Sequence, residues 1–470
     1  MNFRTDPQTL NDLNLVTRSG GRCVFELYDN AHTRGGADLL ERMFLHPLTD
    51  AQQINRRSRI IQYFASRRIA FPFTAEMLDR AESYLAMTDP RTMLSQADDT
   101  LRRRLSQLIS ADGPYTVIVT GIGAIAEIVQ VLTQFVLDSS ASAQSTPYRD
   151  NLMEIEAVLR HEAVAAMSSR VQRGRLAYRD VVELDKQLRF RHRQIIQQLL
   201  EHIYALDVFL SVAEVALKHE YVFPVALPKE RHVLKLVGVR HPLVSHAVGN
   251  ALSVTAQKNL VFLTGANMAG KSTFMKSVGI AFYLAHLGFP VAADAMDFSV
   301  ADGLYTTINL ADDLTTGISH FYAEVQRIKH IAKELAGDKT LLVMFDELFR
   351  GTNVRDAYEG TVAITQAFAG KRNCMFVVST HILEAGEHLM RRCGNIQFVF
   401  LPTRMHGNTP IYSYELKSGI TADRHGMIII NNERILEIIR SRRGAGHVGS
   451  PVQGSQRAPV DHPADAWHVT

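Results

Sequence analysis

The segment TGANMAGKSTF, residues 264–274, constrains the fold of this chain more than any other feature. Residues 265–272 match the pattern G-x-x-x-x-G-K-[ST], which chance would produce only about 0.02 times in a chain of this length. The segment follows the apolar run LVFLT and leads into a helical pattern, FMKSVGIAFYLAHLG. In that context the loop amides and the helix N-terminus converge on the phosphates of a nucleotide. The sequence therefore predicts a phosphate-binding loop between a buried strand and a helix.

Two side chains of the loop suit a nucleotide that carries Mg²⁺. Lys271 would place its ammonium group on the phosphates, and Ser272 would place its hydroxyl on the metal. Downstream, LLVMFDE puts Asp346 and Glu347 directly after another apolar run. The aspartate could hold the Mg²⁺ shell, and the glutamate could orient or deprotonate an attacking water. A helix N-cap would be the purely structural role for such a pair, but two carboxylates at the end of a buried strand cost free energy unless a ligand compensates them.

A histidine follows a third apolar run, in the segment FVVSTH. His381 would stand at the carboxyl end of a strand, the edge at which open α/β sheets bind their ligands. By itself such a histidine is more often a capping or packing residue. Its place after the other two motifs favours a role in sensing the γ-phosphate.

The character of the sequence changes near residue 221. Residues 1–230 are mostly helical in pattern, and one buried helix face is marked by Ile203, Leu206, Leu210, Ala213 and Leu217. After the prolines of VFPVALPKE, strand-like runs alternate with helical patterns through residues 231–442. Residues 443–470, rich in Gly, Pro, Ser and Gln, are typical of a disordered tail. We expect a multidomain α and α/β chain, in which a helical domain precedes a P-loop domain with a mostly parallel sheet.

Composition and cysteine usage narrow the class of protein. The 470 residues exceed what one core usually organises, and 46% hydrophobic with 21% charged residues is ordinary for a globular protein. The three cysteines lack zinc or CxxC spacing, and the N-terminus has no apolar signal core, which predicts a cytoplasmic protein. Glu127, Gln130 and Gln134 interrupt the apolar run at 115–137, so we expect a buried helix there and no membrane partner. The sequence contains no metal-ligand spacing of the kind that would indicate a nuclease.

The loop and a segment that follows the second apolar run resemble motifs of the MutS family of DNA mismatch-repair ATPases. The loop itself is similar to the family's T-G-P-N-M-G-G-K-S-T, with Ala266 and Ala269 in place of a proline and a glycine. DELFRGTNVRD, residues 346–356, resembles the family's D-E-L-G-R-G-T-S-T-x-D, with Phe349 in place of a glycine.

The resemblance extends to ADDLTTGISHFYAE, residues 311–324, in which His320 replaces a threonine of the family motif. Residues 25–64 are similar to the start of the family's core domain, and residues 203–224 to the segment that closes it. Arg-His-Pro at 240–242 resembles the entrance of the ATPase domain.

The family belongs to the ABC-type ATPases, so the resemblance, which covers about residues 12–442, implies ATP hydrolysis with Mg²⁺ in a homodimer formed through the ATPase domains. It assigns nucleotide binding to Gly265, Ala266, Asn267, Met268, Ala269, Gly270, Lys271, Ser272, Thr273 and Ser319. It makes Lys271, Glu347 and His381 the catalytic residues, and Ser272 and Asp346 the Mg²⁺ ligands. Ser319 would reach the γ-phosphate bound by the other subunit.

The same resemblance suggests the partner. Full-length members carry N-terminal mismatch-reading and connector domains, which we expect to be missing here, since Phe25 and Glu26 lack the spacing of the mismatch wedge. The helical half is short, so the DNA clamp should be reduced or absent, with any remnant between residues 106 and 193. The family stacks an aromatic residue on adenine, and SHAVGNALSV offers only His246.

Residues 170–193 hold eight basic and three acidic side chains, which fits either a solvated helix face or a phosphate-contacting surface. We expect double-stranded DNA as the partner, contacted by Arg170, Arg173, Arg175, Arg179, Arg189 and Arg193. One alternative is a relative without mismatch recognition that acts on branched DNA or on a ribosomal or protein partner. Another is a nucleotide-gated scaffold with weak hydrolysis.

Overall fold

The computed structural model describes residues 3–16, 22–94, 113–140, 146–171, 176–308, 320–406, 409–421 and 434–440. Residues 1–404 and 410–423 form one compact unit, and residues 405–409 and 424–470 form a second. The predicted tail, residues 443–470, lies outside the described residues.

The described part of the first 220 residues is helical. Its α-helices are α1 (Pro7–Asp12), α2 (Val24–Tyr28), α3 (Arg34–Leu45), α4 (Ala51–Arg67), α5 (Ala75–Ala86), α6 (Pro114–Ser140), α7 (Arg149–Leu159), α8 (Glu162–Val171), α9 (Tyr178–Asp185) and α10 (Arg193–His219). Polar residues start several of them, because a side-chain oxygen accepts from a free amide of the first turn. Thr33 caps α3, Asp50 caps α4 and Thr74 caps α5 in this way. A π-helical turn, Lys186–Arg191, joins α9 to α10.

Helix α6 contains the apolar run that the sequence places in a buried helix. By length and composition alone, Tyr115–Ser139 could cross a membrane. Here α6 packs along α5, with Gly121 against the ring of Tyr84, and Ile118, Ile122, Ile125, Ile128 and Leu132 are buried. The helix is therefore buried on one face: 44% of the candidate window is buried inside the protein, and Glu127 and Gln130 lie on the exposed side.

The buried face predicted for residues 203–217 is correct except at its end. Ile203, Leu206, Leu210 and Ala213 are buried on α10, whereas Leu217 is 42% exposed. Leu217 lies in the last turn of α10, three residues before the left-handed C-cap Glu220.

Strands begin at residue 225. They are β1 (Val225–Leu227), β2 (Leu234–Val239), β3 (Asn250–Val254), β4 (Leu260–Gly265), β5 (Ala295–Ser299), β6 (Gly303–Thr307), β7 (Leu341–Asp346), β8 (Met375–Ser379), β9 (Ile396–Leu401), β10 (Thr403–His406), β11 (Thr409–Tyr412) and β12 (Lys417–Ser418). The helices among and after them are α11 (Lys271–His286), α12 (His320–Leu335), α13 (Val354–Gly370), α14 (Leu383–Arg392) and α15 (Ile435–Arg440).

The larger sheet has the strand order β12-β9-β4-β8-β7-β6. Strands β9, β4, β8, β7 and β6 are parallel to their neighbours, and β12 is an antiparallel edge. Register pairs Leu263 with Ser379 and Asp346 with Ser379, so β4, β8 and β7 end side by side. A smaller mixed sheet has the order β1-β5-β2-β3. The loops after β4, β7 and β8 therefore meet at one edge.

Helix α11, which follows the phosphate-binding loop, is seated on the helical half. The Tyr283 hydroxyl donates to the carbonyl of Phe44 at 2.8 Å, and Arg57 Nη1 donates to the carbonyl of Leu287 at 2.8 Å. One hydrophobic cluster runs from the helical half through α11 to one face of the larger sheet. A second cluster covers the other face, beneath α12, α13 and α14. The helical part and the strand-containing part, which begins with β1 at Val225, both contribute to one core.

Candidate nucleotide site

The loop after β4 turns tightly at two glycines. Gly265 ends the strand with φ of +151°, and Gly270 directly precedes α11 with φ of +96°, a region that favours glycine. A Cβ at Gly270 would lie 3.0 Å from the ring of Tyr414. Met268, at the tip, is 75% exposed. The loop thus wraps around the N-terminus of α11 with its amides available to an anion.

Lys271 lies inside this loop. Its Nζ donates to the carbonyl oxygens of Gly265 at 2.9 Å and Ala266 at 3.3 Å. The same nitrogen is 3.6 Å from Glu347 Oε1, and the side chain is 4% exposed. The ammonium group is therefore held at the base of the loop by oxygen atoms, where phosphate oxygens could replace them.

Ser272 and Asp346 meet across the edge of the sheet. The hydroxyls of Ser272 and Ser379 donate to the two carboxylate oxygens of Asp346. Helix α13 begins only at Val354 and is capped by Asn353, so capping does not account for Asp346. Hydroxyl and carboxylate oxygens are suitable donors for Mg²⁺, which usually takes one or two carboxylates together with substrate phosphates. Within the described residues, no group of three or more His, Cys, Asp or Glu is placed to hold a metal.

Glu347 is surrounded by basic groups. Arg350 Nε lies 2.6 Å from Oε2, His381 Nδ1 lies 3.6 Å from the same oxygen, and Lys271 approaches Oε1. Interaction with His381, and then with Arg350 and Lys271, lowers the pKa of Glu347 to about 2 against the opposing effect of burial. The residue has φ of +56°, and its amide donates to the carbonyl of Ser379 at 2.9 Å. A non-glycine residue in this conformation is uncommon and often marks a functional position.

His381 neither caps a helix nor packs in the core. Its side chain is 60% exposed, and Ile382, not His381, precedes α14 as N-cap. The residue therefore stands at the carboxyl end of β8 with its ring near Glu347, on the side of the phosphate-binding loop.

A cavity of about 880 Å³ opens beside these residues. One part is lined by the loop, Glu347 and Arg350, and the rest by Val239, His241, Val244, Ser245, His246, Ala247, Val248, Asn250 and Tyr414. Burial, with a smaller contribution from Lys276, lowers the pKa of His241 to about 4. Tyr414 is held by Asn250, whose Nδ2 donates to the Tyr414 carbonyl at 2.9 Å.

Sequence reasoning missed Tyr414 and assigned no role to His241 beyond its Arg-His-Pro motif. The motif at residues 240–242 was the available signal for His241. No sequence signal marked Tyr414, because only the folding of the segment after β9 brings its ring to the loop.

The next predicted site residue, Ser319, belongs to the segment between β6 and α12. Residues 309–319, with the predicted Ser319, lie outside the described residues. At the start of α12, Glu324 Oε1 accepts from the amide of Arg350 at 3.2 Å and lies 3.6 Å from His320 Nδ1. Burial raises the pKa of Glu324. The first turn of α12 is thus attached to the turn that carries Glu347.

Phe349, which replaces a glycine of the family motif, has φ of +65° and is 8% exposed. A left-handed conformation is costly for an aromatic residue. Its ring packs 5.9 Å from that of Phe321, and a Cβ at Gly360 would lie 2.7 Å from it. Gly360 therefore makes room for the ring.

One of the predicted DNA-contact arginines, Arg189, is buried. Arg173 and Arg175 lie outside the described residues, Arg179 is exposed, and Arg170 and Arg193 are partly exposed. Arg189 is a correction: it is 1% exposed and pairs with Asp185 at 2.6 Å. Its guanidinium also donates to the carbonyl of Met87 at 2.9 Å, so it supports the helical core and is not available to DNA.

Comparison with known proteins agrees with this architecture. The family model of MutS domain III matches residues 8–214, and that of MutS domain V matches residues 261–442. The "DNA mismatch repair protein MutS" of Thermotoga maritima is 23% identical over 507 aligned positions, covering 90% of this chain and 62% of the relative. The protein of the same name from Fusobacterium nucleatum is 34% identical over 214 positions, 44% of this chain and 23% of that relative.

The chain thus spans less than two thirds of the length of these relatives. The two domain models nevertheless cover most of its described residues in the family's order, the helical one first. The chain belongs to the MutS family.

Proposed function

We propose that this chain is an Mg²⁺-dependent ATPase of the ABC type, in which ATP binding and hydrolysis in a homodimer are coupled to the binding of double-stranded DNA in repair. The observation that carries the proposal is the convergence of Lys271, Ser272, Asp346 and Glu347 beside one cavity at the edge of the sheet. Such a set of groups around a phosphate-binding loop suits phosphoryl transfer to water.

The roles of the residues follow from their positions. Lys271 would exchange the carbonyls of Gly265 and Ala266 for phosphate oxygens, keeping its charge compensated. Ser272 and Asp346 would hold Mg²⁺, which neutralises charge on the phosphates when bound. Glu347, ionised at neutral pH, would orient the attacking water and accept its proton.

Glu347 must first be released from the basic groups that surround it. Lys271 and Arg350 hold its carboxylate oxygens. Phosphates that attract Lys271 would remove one of these contacts. Binding of the substrate would thereby loosen Glu347, while Arg350 and His381 continue to hold its other carboxylate oxygen.

The second part of the cavity suits the nucleoside. Tyr414 offers a ring against the loop, and Val244 and Val248 supply apolar surface. His241, with its pKa at about 4, stays neutral near pH 7 and adds no charge. An uncharged, partly aromatic pocket favours a base such as adenine. The sequence had suggested only His246 for this contact, whereas Tyr414, Val244 and Val248 line the same cavity.

Dimerisation is supported by exposed apolar side chains on the elements next to the site. Met268 is 75% exposed, Val354 81% and Tyr322 51%. They lie on the loop, at the start of α13 and at the start of α12, the three elements next to the site. A second copy facing this side would cover them.

The test is ATP turnover by the purified chain with and without Mg²⁺, for the wild type and for Lys271→Ala, Glu347→Gln and Glu359→Gln. Glu359 is an exposed carboxylate on α13 that pairs with Arg355, and it serves as the matched control. We expect Glu347→Gln to lower turnover about 100-fold or more while still binding a fluorescent ATP analogue. Glu359→Gln should behave as the wild type.

Normal turnover by Glu347→Gln would contradict the assigned base. Turnover should also be compared with homoduplex, mismatched and four-way-junction DNA at one salt concentration. A rate that responds to one of these supports the coupling and identifies the preferred structure. A rate indifferent to all three would leave the ATPase standing and refute its coupling to DNA.

A further inference from the structure

A basic and acid-free stretch outside the predicted DNA contacts lies on α4 and the residues after it. Residues 51–75 contain five arginines and no aspartate or glutamate. Stretches of one sign are usually solvated surface, so the positions of the five side chains decide what this one can do.

The structure divides the five arginines into one that is inward and four that are exposed. Arg57 faces the core and bonds the carbonyl of Leu287, at the C-terminal end of α11. The exposed ones are Arg56, Arg59, Arg67 and Arg68. Arg56, Arg59 and Arg67 follow one another at steps of three and eight residues, which places them on one face of the helix over about 17 Å.

Among the described residues one ion pair engages this face, and two further acidic side chains, Glu154 and Asp138, line cavities beside Arg56 and Arg67. Arg56 pairs with Asp150 at 3.2 Å, where both side chains are at least half exposed. Arg67 lies over the ring of Tyr63, 5.8 Å from its centroid. No ion pair engages Arg59, Arg67 or Arg68 among the residues that the structure describes.

Helix stability does not explain the whole set. Arg67 and Arg68 stand at the C-terminal end of α4, where a positive charge interacts favourably with the helix dipole. Arg59 lies in the middle of the helix, beyond the reach of that effect. Its Nε bonds only the carbonyl of Asn55, one turn back.

We propose that the exposed face of α4, formed by Arg56, Arg59 and Arg67, together with Arg68 at its C-cap, contacts the phosphate backbone of double-stranded DNA. The proposal rests on the proposed coupling to DNA and names the surface responsible for it. Guanidinium groups bind phosphate oxygens in pairs, and a row of them fixes a duplex without reading its sequence.

Double-stranded DNA fits this face better than a single strand. Proteins that bind single strands stack bases on exposed aromatic rings. Tyr63, the aromatic side chain next to Arg67 on this face, is only partly exposed and is covered by Arg67.

Two residues that flank the exposed face of α4, Asn55 and Arg57, attach the helix to the α/β part of the chain. Asn55 Nδ2 donates to the carbonyl of Ala226 at 2.7 Å, and its Oδ1 accepts from the amide of Ala226 at 2.9 Å. Arg57 holds the C-terminal end of α11, the helix that follows the phosphate-binding loop. DNA on the exposed face would therefore press on a helix that is bonded directly to the nucleotide-binding half.

The experiment measures the affinity for a fluorescent homoduplex between 50 and 200 mM salt, with and without ATP. The test variant is Arg59→Gln/Arg67→Gln/Arg68→Gln. The control, Arg160→Gln/Arg170→Gln/Arg179→Gln, removes the same charge from α7 to α9 and includes two of the arginines suggested by the sequence. Arg59→Lys/Arg67→Lys/Arg68→Lys keeps the charge on α4.

We expect the test variant to bind at least tenfold more weakly and to lower the slope of log affinity against log salt by about 2 to 3, one phosphate contact per arginine lost. The lysine variant should keep most of the slope. ATP turnover without DNA should be unchanged in all three variants, which shows that they are folded.

A wild-type slope in the test variant would overturn the proposal, and loss of slope in the control alone would move the contact to α7–α9. If the wild type bound no duplex in either nucleotide state, the coupling to DNA itself would fail. Tighter binding of a duplex RNA of equal length would overturn DNA as the partner.

Discussion

His286, at the C-terminal end of α11, makes the stability of this protein depend on pH in a predictable direction. The ring is fully buried, beside the rings of Phe3 and Phe298 at 4.7 and 4.9 Å. Its Nδ1 lies 2.8 Å from the carbonyl of Phe282, and its Nε2 lies 3.0 Å from the amide nitrogen of Ala301. Because a carbonyl can only accept and an amide can only donate, these bonds require the neutral ring with hydrogen on Nδ1.

A second proton would have to enter at Nε2, against the Ala301 amide. Burial accordingly lowers the pKa of His286 from 6.5 to about 4. In the unfolded chain the imidazole is protonated below about pH 6.5, whereas in the folded chain it remains neutral down to about pH 4. The stabilisation is therefore complete above pH 6.5 and is lost as the pH falls towards 4. Linkage gives a loss of about 2 kcal/mol in the free energy of unfolding between pH 7.5 and pH 5 from this residue.

The measurement is urea unfolding at pH 7.5 and pH 5.0, followed by far-UV circular dichroism at constant ionic strength. The variants are His286→Gln, which cannot titrate, and His46→Gln, which changes an exposed histidine. His286→Gln should be less stable than the wild type at pH 7.5 but should lose about 2 kcal/mol less on going to pH 5. His46→Gln should follow the wild type. If wild type and His286→Gln lost equal free energy, the buried ring would not be the neutral tautomer inferred from its two hydrogen bonds.

Three further substitutions test other contacts. Tyr414→Ala should raise the KM for ATP about three- to tenfold in steady-state turnover, because the nucleotide base would lose the tyrosine ring that it stacks on. A fall in kcat with an unchanged KM would contradict that position of Tyr414. Asp207→Asn should lower the free energy of unfolding, measured in urea, by about 3 kcal/mol, since the buried carboxylate accepts from the amides of His32 and Thr33. A loss below about 1 kcal/mol would contradict this role of the carboxylate. Gly360→Ala should destabilise the wild type because it meets the ring of Phe349, but not the Phe349→Gly variant, and additive effects in this cycle would refute the contact.

The strands of the larger sheet were predictable because their sequences are continuous. LVFLT lies within β4, LLVMF within β7, and MFVVS is β8. Strands buried on both faces need apolar residues at every position, so they stand out from their neighbours without knowledge of the fold. The residues that follow such strands could then be expected to meet at one edge, and Asp346 does meet Ser272 there.

Contacts that depend on distant segments could not be predicted. Tyr414 reaches the phosphate-binding loop from about 140 positions further along the chain, and no local pattern marks it. Counting charges could not separate Arg189, which is buried beside Asp185, from the exposed Arg179. A run of basic residues records how many charges are present, whereas the packing of the helices decides which of them face water.

The packing of α11 explains how events at the phosphates can affect the helical half. The helix has 16 residues, so it is about 24 Å long, with the phosphate-binding loop at one end and His286 at the other. Leu13 packs against its middle at Gly279, where a Cβ would lie 2.8 Å from the leucine, and Phe44 and Arg57 bond its far end. Because nearly all its residues are buried in close-packed surroundings, α11 has little room to bend or shift alone. If the loop binds nucleotide as proposed, a displacement of the N-terminus of α11 would be passed to the segments that hold its C-terminus, among them α4 with its exposed arginines.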